Sequence, residues 1–131
     1  MQSAHNAPPE PPQDGVSAKV ESLRAAVGKG DVDAPVTLAN LYLEGKGVSR
    51  SCDEALTLLQ SAAAKANARA RNRLAAMYEI GTCVQRDRVQ AYRWLTSALA
   101  VDGKNLWAQQ NLDQTWREMT SQERTMAEAY R

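Results

Sequence analysis

One pattern occurs twice in this chain, thirty-six residues apart. Ala39-Asn40-Leu41-Tyr42 is answered by Ala75-Ala76-Met77-Tyr78, Gly45-Lys46-Gly47-Val48 by Gly81-Thr82-Cys83-Val84, and Ala55 by Ala91. A period of that length constrains the fold more tightly than composition does. Each unit is one supersecondary element that cannot bury its apolar face alone, so neighbouring units must stack into a continuous core. Surfaces built in this way ordinarily recognise another protein and rarely perform chemistry.

Between the glycines, apolar residues recur at helical intervals. Val16, Val20, Leu23, Ala26 and Val27 share such a spacing, and Gly28 and Gly30 end it. Sliding the period back sets Leu23 under Leu59 and Leu95, and Ala26 under Ala62 and Ala98. Residues 15–30 are therefore the second half of an incomplete repeat. Residues 31–66 and 67–102 are full copies, and residues 103–131 supply capping helices.

In the first copy, Asp33 is the expected cap of a helix that runs to about Glu44, with Pro35 in its first turn. Its buried stripe is Ala34, Leu38, Leu41 and Tyr42. Gly45 and Gly47 end it in left-handed conformations that cost glycine little. Ser51-Cys52-Asp53-Glu54 reads as a capping box for a second helix with Ala55, Leu58, Leu59 and Ala62 inside. The second copy repeats this grammar: a stripe of Ala70, Leu74, Met77 and Tyr78, a stop at Gly81, and a cap at Asp87 with Gln90. Ala91, Trp94, Leu95 and Ala98 then face inward. A further helix is expected from about Lys104 to Glu118. Thr120-Ser121-Gln122-Glu123 opens a last helix that reaches Tyr130 with Met126 and Ala129 inside. Abundant alanine and sparse β-branched residues favour helix over sheet throughout.

The 131 residues carry a formal charge of +1, but unevenly. Residues 31–64 hold two basic and five acidic groups, and residues 65–93 hold seven basic and two acidic. Solvated helix faces account for most asymmetries of this kind. Residues 1–14, with Pro8-Pro9-Glu10-Pro11-Pro12, read as a disordered Pro-rich tail. They lack the charged start and apolar centre of a signal peptide, and no apolar run approaches the ~18 residues that span a bilayer. The residues fit a mature exported protein, periplasmic or secreted, and equally a cytoplasmic protein with a loose tail.

Little in the chain points to catalysis. The one histidine, His5, falls in the tail, so neither cysteine has a positioned base. Asp53 and Glu54 are neighbours that favour a helix N-terminus rather than a paired acid and base. Gly45-Lys46-Gly47 lacks the frame of a phosphate loop. Two cysteines and a distant histidine do not make a zinc site, so neither a metal nor another cofactor is expected.

On these residues the chain resembles the Sel1-like repeats, relatives of the tetratricopeptide repeats. The first copy reads Ala34-x3-Leu38-Ala39-x-Leu41-Tyr42-x2-Gly45-x-Gly47-Val48, then Ala55-x3-Leu59 and Ala62-Ala63. The second reads Ala70-x3-Leu74-Ala75-x-Met77-Tyr78-x2-Gly81-x-Cys83-Val84, then Ala91-x2-Trp94. Ala39 and Ala75 stand where the family often has glycine, and Cys83 stands for its second loop glycine. The resemblance implies an all-α fold, a right-handed superhelical stack of antiparallel helix pairs. It also implies an adaptor role in an envelope or signalling assembly, or alternatively that of an immunity protein neutralising a secreted toxin.

In such a stack the first helix of each pair lines the concave side. The register assigns Asp33, Val36, Asn40, Leu43 and Glu44 to that face in the first copy, and Arg69, Asn72, Arg73, Ala76, Glu79 and Ile80 in the second. Asn105, Ala108, Gln109 and Leu112 follow. Arg69 and Arg73 share a helical face and Arg71 points away. Guanidinium groups bind carboxylates bidentately, so the expected ligand is a protein or peptide with acidic groups. Nucleic acid is not expected, because exposed aromatics for stacking are not apparent and acidic groups are many. Helices of about 52–65 and 68–80 are sequential and antiparallel, which brings Cys52 and Cys83 to the same end. A Cys52–Cys83 disulfide is expected in an exported protein.

Overall fold

The computed structural model describes residues 14–129. Among them are seven helices and no strand: α1 (Asp14–Gly28), α2 (Ala34–Glu44), α3 (Cys52–Ala64), α4 (Ala68–Ile80), α5 (Arg88–Val101), α6 (Leu106–Glu118) and α7 (Ser121–Glu128). Each helix from α1 to α5 packs on the next, and α7 folds back onto α5. The pairs α2/α3 and α4/α5 repeat one arrangement, and α1 packs on α2. The expectation for the Pro-rich tail falls on residues 1–13, outside the described residues, and Asp14 belongs to α1 rather than to the tail.

Both repeats turn their corner with the same bonds. Gly45 (φ 69°) and Gly81 (φ 87°) take left-handed conformations that a Cβ disfavours. The N–H groups of Gly45 and Lys46 donate to the Leu41 carbonyl, and those of Gly81 and Thr82 to that of Met77. The chain then doubles back: the Ser51 N–H donates to the Tyr42 carbonyl at 3.1 Å, and the Asp87 N–H to that of Tyr78 at 2.9 Å. Arg50 Nε donates to the Leu43 carbonyl and Arg86 Nε to that of Glu79. The helix starts are satisfied by side chains. Ser51, Asn67, Asp87 and Asn105 each accept from the backbone N–H three residues on, and Thr120 with Glu123 forms a complete capping box. Asp33 makes no such bond. Asp31 accepts instead from the N–H groups of Asp33 and Ala34, because the turn before Pro35 brings the earlier carboxylate to the helix start.

The core is built from leucine and alanine. Leu59, Leu74 and Leu95 are fully enclosed, and Ala39, Ala55, Ala70, Ala91, Ala98 and Ala108 let helix backbones approach closely. α2 packs on α1 as well as α3, so its buried arc is wider than the expected stripe. Val36, Ala39 and Leu43 join it, while Leu41 is only half-buried. The last helix differs more. Met126 is 49% exposed and Ala129 is exposed, whereas Ala127 is buried beside Val89, Tyr92 and Met119. α7 leans on α5 rather than continuing the stack, which turns its inner face by one residue.

Candidate functional site

Three first helices contribute to one groove. Val36 and Asn40 from α2, Arg69, Asn72, Arg73 and Ala76 from α4, and Trp107 from α6 enclose about 330 Å³. A second hollow of about 200 Å³ shares Ala76 and Trp107 and continues past Glu79, Ile80 and Asn111, over Ala75 and Leu95. The first half is polar and the second largely apolar, with the indole of Trp107 as their common wall.

Of the residues assigned to this face by sequence, Asn40, Arg69, Asn72, Arg73 and Ala76 come together in the polar half, and Glu79 and Ile80 in the other. Leu43 does not belong: it is 8% exposed and packs in the main core, because the wider buried arc of α2 includes it. Val36 is buried yet forms part of the floor. Glu44 lies at the end of α2 against Lys46 and lines neither half. Asn105 caps α6 and donates through Nδ2 to Asn72 Oδ1 at 3.1 Å. Gln109 is exposed and lines neither half.

A shift in register explains Gln109 and the residues that sequence reasoning missed. The caps Asn67 and Asn105 are thirty-eight residues apart, not thirty-six. Two extra residues precede α6, so Trp107 takes the place of Arg69, Gln109 that of the outward Arg71, and Asn111 that of Arg73. The buried positions follow the same offset, with Ala108 answering Ala70 and Thr115 answering Met77. Trp107, a large aromatic residue of the kind usually buried, is 43% exposed.

The three arginines of α4 have three different fates. Arg69 lies 3.4 Å from Asp33, in a pair whose side chains are both well exposed. An ion pair in that setting is weak and easily exchanged. Arg71 is fully engaged: Nε and Nη2 donate to the Ala63 carbonyl, and Nη1 to the Ser97 carbonyl at 2.8 Å, tying the end of α3 to α5. Arg73 Nε is buried without a hydrogen-bond partner among the described residues, and so is Asn40 Oδ1 in the same groove. Glu79 is not a free acid, since its carboxylate accepts from the Thr115 hydroxyl at 2.7 Å.

Cys52 and Cys83 form a disulfide with a Cα separation of 5.4 Å. It joins the start of α3 to the loop after α4, so it stitches one repeat to the next. Among the described residues, no His, Cys, Asp and Glu side chains cluster as a metal site, and no helix is long and apolar enough to cross a membrane.

These features define an all-α solenoid of helix pairs with a groove along its first helices. The Sel1 repeat pattern matches residues 38–67 and again 68–100. A protective antigen present in uropathogenic Escherichia coli strains, which displays an SLR fold, is similar at 32% identity and a TM-score of 0.78. That similarity covers 87% of this chain and 24% of the antigen, so the chain spans about a quarter of the antigen's length. A Sel1 repeat protein from Oxalobacter formigenes is similar at 31% identity and a TM-score of 0.60, over 67% of this chain and 70% of that one. The chain belongs to the Sel1 repeat family. Of the curated proteins, none matches it. Sel1 repeat proteins generally mediate protein–protein interaction.

Proposed function

We propose that this chain is a non-catalytic adaptor that holds part of a protein partner in the groove of α2, α4 and α6. One observation carries the reading. Around the groove, arginines and asparagines are tied to other groups of the protein, yet Arg73 Nε and Asn40 Oδ1 are buried there without partners. A buried donor or acceptor left unmade is costly, and a ligand that satisfies it regains that cost on binding. Arg69 can exchange Asp33 for an acidic group of the partner, and Arg73 can take another. The protein acts outside the cytoplasm, in the periplasm or secreted. The Cys52–Cys83 bridge supports this, because disulfides persist in oxidising compartments.

Affinity capture from the native host, followed by mass spectrometry, identifies the partner. Binding is then compared between Arg69→Ala/Arg73→Ala and a control on the exposed surface of α5, Arg93→Ala. Losing a charged anchor at the centre of an interface costs about 2 kcal/mol or more, so the groove variant is expected to bind roughly thirtyfold more weakly. Unchanged binding by a folded groove variant removes the assignment. Two free thiols in protein taken from the host's periplasm or medium would remove the bridge, and recovery of the protein from the cytoplasm with both thiols reduced would remove the compartment.

A further inference from the structure

We infer that the groove takes an extended peptide segment in which an acidic residue and a large apolar residue lie two to four positions apart. This rests on the groove being the partner site.

The two halves of the groove ask for different chemistry. In the polar half, Arg73 Nε is a buried donor and Asn40 Oδ1 a buried acceptor, and both lack partners among the described residues. Arg69 adds a second guanidinium held only by an exposed pair with Asp33. A carboxylate suits the two arginines, and a main-chain N–H suits Asn40. In the other half Ile80 is 73% exposed, Trp107 is 43% exposed, and both stand beside Ala75, Ala76 and Leu95. An apolar side chain is the group that gains from this hollow, and tryptophan and arginine are the anchors that most often dominate such contacts.

The spacing follows from α4. Arg73 and Ile80 sit on one helix, seven residues apart. The helix rises about 1.5 Å per residue, so their Cα atoms are separated by about 10 Å along its axis. An extended chain advances about 3.3 Å per residue and points alternate side chains the same way. It covers this distance in about three residues, and sharing a face favours a separation of two or four. A helical ligand would need about seven residues for the same span, and its backbone N–H groups are already spent internally and cannot serve Asn40.

The test is selection of phage-displayed random dodecapeptides on the oxidised full chain, followed by fluorescence anisotropy with the enriched peptides. Enriched sequences are expected to share Asp or Glu two to four positions from Leu, Ile, Phe or Met. Arg73→Gln is expected to weaken binding at least tenfold, and Asn40→Ala about fivefold. Changing the peptide's acid to its amide should remove the effect of Arg73→Gln, and truncating its apolar residue should remove that of Trp107→Ala. Peptides that depend on Arg73 and Trp107 but lack the acid–apolar pattern would overturn this inference and leave the groove as the site. Peptides that bind Arg73→Gln and Trp107→Ala as tightly as the unmodified chain would overturn the groove itself. Failure to enrich any peptide, or tighter binding of a single-stranded oligothymidylate than of any peptide, would also overturn the inference.

Discussion

Residues 31–66 and residues 67–102 share their corners and part company along the groove. Leu43 and Glu79 receive equivalent arginines, Arg50 and Arg86, and Tyr42 and Tyr78 receive the returning N–H groups of Ser51 and Asp87. On the groove face, by contrast, Asn40 in the first copy is matched by Ala76 in the second, and Val36 by Asn72. The corner must satisfy the same backbone groups each time, because unpaired helix-end carbonyls are costly wherever they occur. The groove face carries no such obligation, so its residues are free to answer to a ligand. Repetition marks what the fold needs at the corners, and along the groove face the copies depart from it.

The largest expected effect breaks the bond between the copies. The Cys52–Cys83 bridge closes a loop of 31 residues. In the chain-entropy model such a closure contributes about 3–4 kcal/mol. Cys52→Ala/Cys83→Ala should lose about that amount in urea denaturation while keeping its helical circular dichroism. A variant as stable as the oxidised protein would mean that the two copies hold together by packing alone.

Next comes the contrast between Arg71 and Arg73, two residues apart on α4. Arg71 gives three charged hydrogen bonds to two backbone carbonyls. Hydrogen bonds to a charged group contribute about 1.5–3 kcal/mol each, less the strain of holding them together, and here they also satisfy a helix end. Arg71→Ala is expected to cost about 2–3 kcal/mol. Arg73→Ala loses no hydrogen bond among the described residues and removes a buried donor that is left unmade, so it should leave stability unchanged or raise it by about 1 kcal/mol. Equal losses at both positions would make Arg73 a structural residue and weaken the groove as a binding site.

How much of this was legible depends on how local each signal is. The glycine stops, the caps at Ser51 and Asp87, the core leucines and the Cys52–Cys83 bridge are all set by neighbours or by the period, and the chain displays them openly. The role of Arg71 is not local. Its acceptors, the carbonyls of Ala63 and Ser97, belong to other helices and are invisible in a pattern of side chains. The third groove helix failed for a different reason. Two residues inserted before Asn105 shift α6 against the period, and strict counting put Gln109 where Asn111 lies and missed Trp107. The cap offered the signal: aligning Asn105 with Asn67 restores the register. For α7, the pattern of apolar and charged residues puts Met126 and Ala129 inside a closing cap, whereas the helix docks on α5 through Ala127.

The smallest expected effect concerns the one corner position where the copies differ in backbone cost. Gly47 and Cys83 occupy it with φ of 77° and 64°, both in the left-handed region. Glycine adopts this conformation freely, but a residue with a Cβ does so against a steric penalty of about 1 kcal/mol. Cys83 accepts the penalty because the bridge requires a cysteine there. Once Cys52 is replaced by alanine, that reason disappears. In the Cys52→Ala background, Cys83→Gly should therefore be more stable than Cys83→Ala by about 1 kcal/mol, although glycine also loosens the unfolded chain. Gly47→Ala should lose a similar amount in the otherwise unmodified protein. Urea midpoints of the four proteins decide. If Cys83→Gly is no more stable than Cys83→Ala, the second loop does not need its left-handed residue, and the two corners are less alike than their hydrogen bonds suggest.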